Sequence, residues 1–127
     1  MTDLIEVKTA DLFGEALNWS VAIAMDQNPS VVPAQYGVPA RVFVQKEGMS
    51  PVRYRPTVDW LECGPLIDKH NISLHCPQFV GDVWAAWITG GGNDIAQGGD
   101  TALQATCRTI VAAKVGLLVQ VPKELLS

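Results

Sequence analysis

Apolar residues recur every three or four positions between residues 10 and 25, and this spacing predicts an amphipathic helix. Thr9 stands where an N-cap would, and Asn28-Pro29 ends the helix because a residue before proline avoids helical angles. The proline-containing stretch 26–40 is predicted to be a long loop whose role the sequence leaves open. The inner face of the helix is predicted to comprise Leu12, Phe13, Ala16, Leu17, Ser20, Ile23 and Ala24.

A second helical pattern starts at residue 100 or 101 near the end of the chain. Thr101 and Gln104 have the spacing of a capping box, and Gly116 is a natural helix stop. A shorter helical segment is predicted over residues 57–69, with Thr57 as its N-cap and an interruption at Gly64-Pro65.

Strands are predicted at residues 41–44, 72–76 and 83–88 from their short apolar or alternating runs. The last two are predicted to form a hairpin, and residues 117–121 to form a short strand or a docked extension. This order of elements predicts an α+β fold, in which a small antiparallel sheet packs against two to three helices.

Length and charge narrow the class of protein. The 127 residues fit one domain spanning 1–127, and 48% hydrophobic against 17% charged residues excludes intrinsic disorder. A net charge of −4 disfavours general coating of nucleic acid or of anionic membranes.

A soluble, intracellular location is the expectation. The N-terminus lacks the charge pattern of a secretory signal, and no apolar run approaches the length of a membrane helix. Cys63, Cys76 and Cys107 form an odd set without a CxxC pair, which indicates reduced thiols.

Several segments, read in order, resemble the phage NinX-like proteins. The resemblance is carried by Ala16-Leu17-Asn18-Trp19-Ser20-Val21-Ala22, by Tyr54-Arg55-Pro56-Thr57-Val58-Asp59-Trp60, by Gly64-Pro65-Leu66-Ile67-Asp68, by Ile72-Ser73-Leu74, by Trp84-Ala85-Ala86, by Thr101-Ala102-Leu103-Gln104-Ala105-Thr106-Cys107-Arg108, by Val111-Ala112-Ala113-Lys114-Val115-Gly116 and by Val121-Pro122-Lys123-Glu124-Leu125.

This similarity covers about residues 8–126, and its order is more specific than any one motif. It implies a gene of temperate phages or prophages whose product acts in the bacterial cytoplasm and has no established biochemical activity. The chain departs from the family pattern in an expanded loop, an expanded Gly90-Gly91-Gly92 stretch, and Ala102 in place of a frequent proline.

Residues 41–56, hereafter the basic segment, carry four cations against the single acid Glu47. The cations are Arg41, Lys46, Arg53 and Arg55, and they alternate with the aromatic residues Phe43 and Tyr54. Guanidinium groups beside an aromatic ring suit a nucleotide or another phosphorylated ligand. The alternative interpretation is a solvated loop whose arginines pair with Asp3, Glu6 or Asp59.

The predicted ligand site combines this segment with the start of the last helix. Its residues are Arg53, Tyr54, Arg55, Trp60, Thr101 and Arg108. The glycine-rich stretch 90–99 leads into the same helix and could hold a phosphate, or could be a flexible connection. Asp94 and Asp100 would repel an anion there, and neither P-loop nor dinucleotide spacing is present.

The sequence gives little support for a metal site or for a catalytic nucleophile. Cys63, His70, His75 and Cys76 match no common zinc spacing, so no metal and no cofactor are predicted. Ser73 or Cys76 could combine with a histidine and Asp59, but no nucleophile signature surrounds them.

The sequence therefore favours a non-enzymatic binding module for a small anionic, nucleotide-like ligand, assembled as a homo-oligomer. Two alternatives stay open. One is a protein-interaction module that binds a host or phage protein, and the other is a small enzyme acting on a nucleotide.

Overall fold

The computed structural model of the protein describes residues 3–90 and 93–126, and over these ranges it has an α+β fold with three α-helices and three small antiparallel sheets. The helices are α1 (Gly14–Ala24), α2 (Trp60–Lys69) and α3 (Ala102–Lys114), with short 3-10 turns at Thr9–Asp11 and Lys123–Leu125. The strands are β1 (Leu4–Lys8), β2 (Pro29–Val32), β3 (Arg41–Val44), β4 (Val52–Arg53), β5 (Ser73–His75), β6 (Trp84–Gly90), β7 (Asn93–Gly99) and β8 (Leu118–Pro122).

The three sheets are built from different parts of the chain. β1 pairs with β8, so that Leu4 lies opposite Pro122 and the two ends of the chain meet. The second sheet has the order β2-β3-β4 and the third the order β5-β6-β7, and all neighbours are antiparallel. The predicted α+β class is confirmed, with three small sheets where one was expected.

The core lies around α3, which packs against α1, α2 and the third sheet. Buried apolar side chains from every layer meet there, since those of Leu17, Val42, Cys63, Ala86 and Ile110 have no exposed surface. Thr109 is a polar residue that fits in this core, because its hydroxyl lies 2.9 Å from the carbonyl oxygens of both Ala86 and Ala105 and can donate its proton to either. Burial of this apolar surface is the main source of stability.

The first helix is shorter than its pattern predicts. Residues 9–11 form a 3-10 turn, and α1 starts at Gly14, whose φ of +57° is open mainly to glycine. The buried face includes Val21 and Ala22, whereas Phe13 and Ile23 are exposed, so the predicted stripe was partly wrong.

The second helix is continuous where an interruption was predicted. Pro65 lies inside α2 and cannot donate to the carbonyl of Leu61. Because Leu61 is exposed, water can bond that carbonyl instead. The N-cap is Asp59 and not Thr57, since Asp59 Oδ1 accepts a 3.0 Å hydrogen bond from the amide of Leu61.

Some strands were predicted correctly and others were not. The strand at 41–44 and the β5–β6 hairpin are confirmed, and the tail strand pairs with β1. The glycine-rich stretch forms β7 over residues 93–99, which pair with β6 along its whole length. Gly91 and Gly92, the middle of the predicted flexible connection, lie outside the described residues. None of the helices in the described chain has the length and apolarity to cross a bilayer.

Candidate functional site

The basic segment folds onto the first turn of α1 through the carboxylate of Glu15. Arg53 Nη1 lies 2.7 Å from Glu15 Oε1 and also donates to the carbonyl of Val42 at 3.2 Å. The amide of Val42 donates to the same Oε1 at 2.9 Å. The arginine at position 53 is therefore an internal partner of the fold.

This polar contact extends further along α1. Asn18 donates to Glu15 Oε2 at 3.0 Å, and its Oδ1 accepts from the amide of Thr57 at 3.1 Å. The alternative interpretation of this segment, a solvated loop, predicted that its arginines pair with Asp3, Glu6 or Asp59. For Arg53 that expectation was wrong, because the partner is Glu15, which lies 38 residues away.

Phe43 stands between two cations on one face of the second sheet. The guanidinium carbons of Arg41 and Arg53 lie 5.7 Å and 6.0 Å from its ring centroid. Strand geometry explains this arrangement. Arg41 and Phe43 are two residues apart on β3 and so share a face, and Phe43 on β3 lies opposite Arg53 on β4. Cation–π contacts engage these two arginines.

Tyr54 points into the core and is only 2% exposed. Burial raises its pKa, with smaller contributions from Cys107, Glu62 and Cys63 nearby. The neighbouring thiol of Cys63, together with burial, raises the pKa of Cys107. Tyr54 therefore belongs to the packing between α2 and α3.

Arg108 and Thr101 have structural partners at the start of α3. Arg108 donates to the carbonyl of Leu12 at 2.8 Å and to that of Gly98 at 2.9 Å, and burial lowers its pKa. Thr101 Oγ1 accepts from the amide of Gln104 at 3.0 Å, which confirms the predicted cap.

Of the six residues predicted to hold a ligand, four are thus engaged in internal bonds or packing: Arg53, Tyr54, Thr101 and Arg108. The other two, Arg55 and Trp60, are exposed. Their role in binding stays a prediction.

The ends of the three helices form an open cleft that the sequence did not indicate. Its volume is about 610 Å³, and we call it the helix-end cleft. It is lined by Ile23, Ala24, Met25, Asp26, Lys69, His70, Lys114 and Val115. Lys69 and Lys114 are the last residues of α2 and α3, so the fold itself brings these two lysines to one cleft.

Charge in the helix-end cleft is predominantly positive. Asp26 is the single acid among its lining residues. Within residues 3–90 and 93–126, Lys69 and Lys114 form no ion pair, since the salt bridge found there joins Arg53 and Glu15. Each lysine also lies where the negative end of a helix dipole favours a cation.

His70 also lines the cleft. Its Nδ1 lies 2.9 Å from the carbonyl of Leu66, which orients the ring. Its Nε2 is buried and has no hydrogen-bond partner among the described residues, so this atom is not open to the cleft.

An apolar cavity of about 290 Å³ adjoins the cleft, and we call it the apolar arm. Ile23 and Val115 line both spaces, so the two lie side by side with these residues between them. The remaining lining residues of the apolar arm are Leu4, Trp19, Ser20, Leu118, Val119 and Gln120.

The residues considered for metal or nucleophile chemistry are dispersed. Cys63 is buried and Cys76 is exposed. Over the described ranges, no group of three or more histidine, cysteine or acidic side chains is arranged to hold a metal ion.

The fold and the cleft define a small α+β protein with a cationic cavity at its helix ends. The family model described as Bacteriophage P22, NinX matches residues 8–114. The chain therefore belongs to the phage NinX family and is a phage accessory protein, and the matched span contains all three helices that form the cleft. A comparison with curated proteins finds no match.

Proposed function

We propose that this phage accessory protein is a non-enzymatic module that binds a small anionic ligand in the helix-end cleft. The observation that carries the proposal is the convergence of Lys69 and Lys114, from two different helices, in a cavity of about 610 Å³. Pockets for small molecules have volumes of about 300–1,000 Å³, so the cleft has a suitable size.

The two lysines are the electrostatic argument for an anion at this place, because a phosphate or carboxylate can pair with both ammonium groups. Asp26 and the negative ends of the helix dipoles oppose it, so the anion must gain more from the lysines than it loses to these groups. The proposal needs no basic protein surface, because the cations are local while the whole chain carries −4.

The cations of the basic segment are less available for this role. Arg53 is held by Glu15, and both Arg41 and Arg53 contact the ring of Phe43. An anion would have to compete with those contacts. Lys69 and Lys114 have no such competitor among the residues that the structure describes.

The cleft favours binding over catalysis. Its lining contains no serine, threonine or cysteine that could act as a nucleophile. Its ionisable groups are two lysines, one histidine and one aspartate, which can position and neutralise an anion.

A ligand screen tests the proposal. Thermal unfolding is followed with inorganic phosphate and with mono-, di- and cyclic nucleotides. A ligand at 100 times its Kd stabilises the native state by about 2.7 kcal/mol, which raises the Tm by several degrees for a chain of this size. We expect the double variant Lys69→Gln/Lys114→Gln to lose this increase.

Lys46→Gln is the matched control, because Lys46 is an exposed lysine in the turn after β3. Arg55→Ala tests the exposed part of the predicted site in the same titration. The proposal fails if no anion raises the Tm, or if the double lysine variant responds as the unmodified protein does. Loss of binding in Arg55→Ala alone would return the site to the basic segment.

A further inference from the structure

The apolar arm is part of the folded framework and does not depend on a loose loop. Trp19 and Ile23 are four residues apart on α1 and therefore share a face. The pairing of β1 with β8 brings Leu4 and Leu118 to the same cavity.

The turn after α3 holds Val115 at the junction between the cleft and the arm. Gly116 has a φ of +136°, which allows the chain to reverse there. Thr9 fixes this turn, because its hydroxyl donates to the carbonyl of Gly116 at 2.6 Å and its amide donates to that of Leu117 at 2.9 Å. The junction is thus tied to the far end of the chain.

Several apolar side chains that line the arm are exposed to solvent. Leu4, Ile23, Val115 and Leu118 keep between 40% and 55% of their surface exposed. Single exposed leucines are common on proteins, but several around one concave space mark a place for an apolar group. The polar lining is limited to Ser20 and Gln120.

We infer that the ligand of this protein is amphipathic, with an anionic head between Lys69 and Lys114 and an aliphatic body that passes Ile23 and Val115 into the apolar arm. This inference rests on the proposed function and names the ligand class: a medium-chain aliphatic carboxylate or a similar acyl anion. Charge complementarity to the two lysines places the head, and the position of the apolar arm directly beside the cleft, with Ile23 and Val115 lining both, places the body. The ribose and base of a nucleotide would lose hydration against apolar walls.

A comparison of chain lengths tests this inference by calorimetry. Octanoate and butyrate have the same carboxylate, and octylamine has the same aliphatic body with the opposite charge. We expect octanoate to bind at least about tenfold more tightly than butyrate, because added methylenes are buried in the arm. We expect octylamine not to bind at the lysine pair.

Two variants separate the head from the body. Leu118→Gln should weaken octanoate binding and leave butyrate or phosphate binding unchanged, whereas Lys69→Gln/Lys114→Gln should abolish both. Leu61→Gln is the matched control, since Leu61 is an exposed leucine on α2 that lines neither cavity. Circular dichroism melting shows that each variant is folded.

Tryptophan fluorescence gives an independent measurement, because Trp19 lines the arm. Octanoate should change the emission of the unmodified protein but not that of Trp19→Phe. Equal affinities for butyrate and octanoate, or octylamine binding as tightly as octanoate, would overturn the inference. Anion binding without dependence on chain length would overturn it and leave the proposed function standing, and no anion binding at all would overturn both.

A second copy of the chain is the competing occupant of the arm. Sedimentation analysis distinguishes a second copy of the chain from an aliphatic ligand as the occupant of the arm. A dimer that Leu118→Gln dissociates, and that octanoate does not affect, would assign the arm to self-association and overturn the inference.

Discussion

Glu15 is the residue on which the polar contacts of the basic segment converge. Its carboxylate accepts from Arg53, from the amide of Val42 and from Asn18. The Glu15 side chain is 23% exposed, so these donors would be incompletely rehydrated if the carboxylate were removed. We expect Glu15→Ala to lower the free energy of unfolding by about 1–3 kcal/mol. Urea denaturation followed by circular dichroism measures this loss.

Glu47→Ala is the control for that substitution. Glu47 is exposed in the turn between β3 and β4, and surface changes of this kind alter stability by less than about 0.5 kcal/mol. Equal effects of the two substitutions would contradict the role assigned to Glu15.

Tyr54 provides a residue-scale test of burial through pH. Burial raises its pKa above the value of about 10 that an unfolded tyrosine has. Its contribution is therefore present in full below pH 10 and is lost as the pH rises from there towards the folded value, because the unfolded phenol ionises first. We expect the stability of the unmodified protein to fall more steeply above pH 10 than that of Tyr54→Phe.

Spectrophotometric titration measures the same property directly. Tyr54 is 2% exposed and should ionise only with alkaline unfolding. Ionisation of Tyr54 with the fold intact, seen as a difference between the unmodified protein and Tyr54→Phe near pH 10, would show that Tyr54 is accessible.

The neighbours Arg53 and Tyr54 show what residue types alone could predict. The sequence identified both as chemistry-bearing side chains of one segment. Alternation along an extended chain sends one to the outer face of the second sheet and the other into the core. The acid that engages Arg53 lies 38 residues away, and no local spacing indicates it.

At the scale of elements, β7 and α3 approach so closely that one position requires glycine. A Cβ at Gly99 would lie 2.6 Å from the backbone nitrogen of Ala105 and 3.1 Å from its Cα. Backbone atoms cannot move aside as a flexible side chain would. We expect Gly99→Ala to lower stability by about 1–3 kcal/mol, measured by thermal or urea unfolding.

Gly98 is the matched control for this contact. A Cβ there would meet Val83 Cγ2 at 3.4 Å and the carbonyl oxygen of Trp84 at 3.5 Å, which are ordinary contacts. Gly98→Ala should therefore be much milder than Gly99→Ala. The reverse order would show that β7 and α3 are further apart than the structure has them.

β7 also explains why strands were harder to predict than helices. Its sequence, Asn93–Gly99, contains polar residues and glycines that disfavour a strand locally. Its pairing with β6 along the whole strand overrides that preference. The N-cap of α3 is a local signal, so Thr101 was identified correctly from the sequence, whereas the bounds of α1 and the N-cap of α2 were not.

At the scale of the whole molecule, the helix-end cleft exists only because three separate helices end together. Lys69 and Lys114 each occupy the last turn of a helix, where a lysine is common for reasons of the helix dipole alone. Neither residue is distinctive in the sequence, and their distance along the chain hides the convergence. The anionic ligand stays a proposal: the sequence based it on the basic segment, whereas the place now proposed for it depends on the tertiary fold.

The reactivity of the cysteine thiols shows whether the fold opens locally or only when the whole chain unfolds. Cys76 is exposed, whereas Cys63 and Cys107 are buried in the core. The neighbouring Cys63 thiol and burial raise the pKa of Cys107, which disfavours the thiolate that reacts with disulfide reagents. We expect an aromatic disulfide reagent to modify Cys76 rapidly in the native protein, and Cys63 and Cys107 only when the chain unfolds.

Urea makes this expectation quantitative. If α2 separates from α3 only in global unfolding, labelling of Cys63 and Cys107 should increase with urea in parallel with the loss of helical circular dichroism. The Cys76→Ser variant lacks the rapid labelling of Cys76, so the slow labelling of Cys63 and Cys107 can be measured alone. Rapid labelling of that variant without urea would show that the contact between α2 and α3 opens locally, and the helix ends that form the cleft would then move with it.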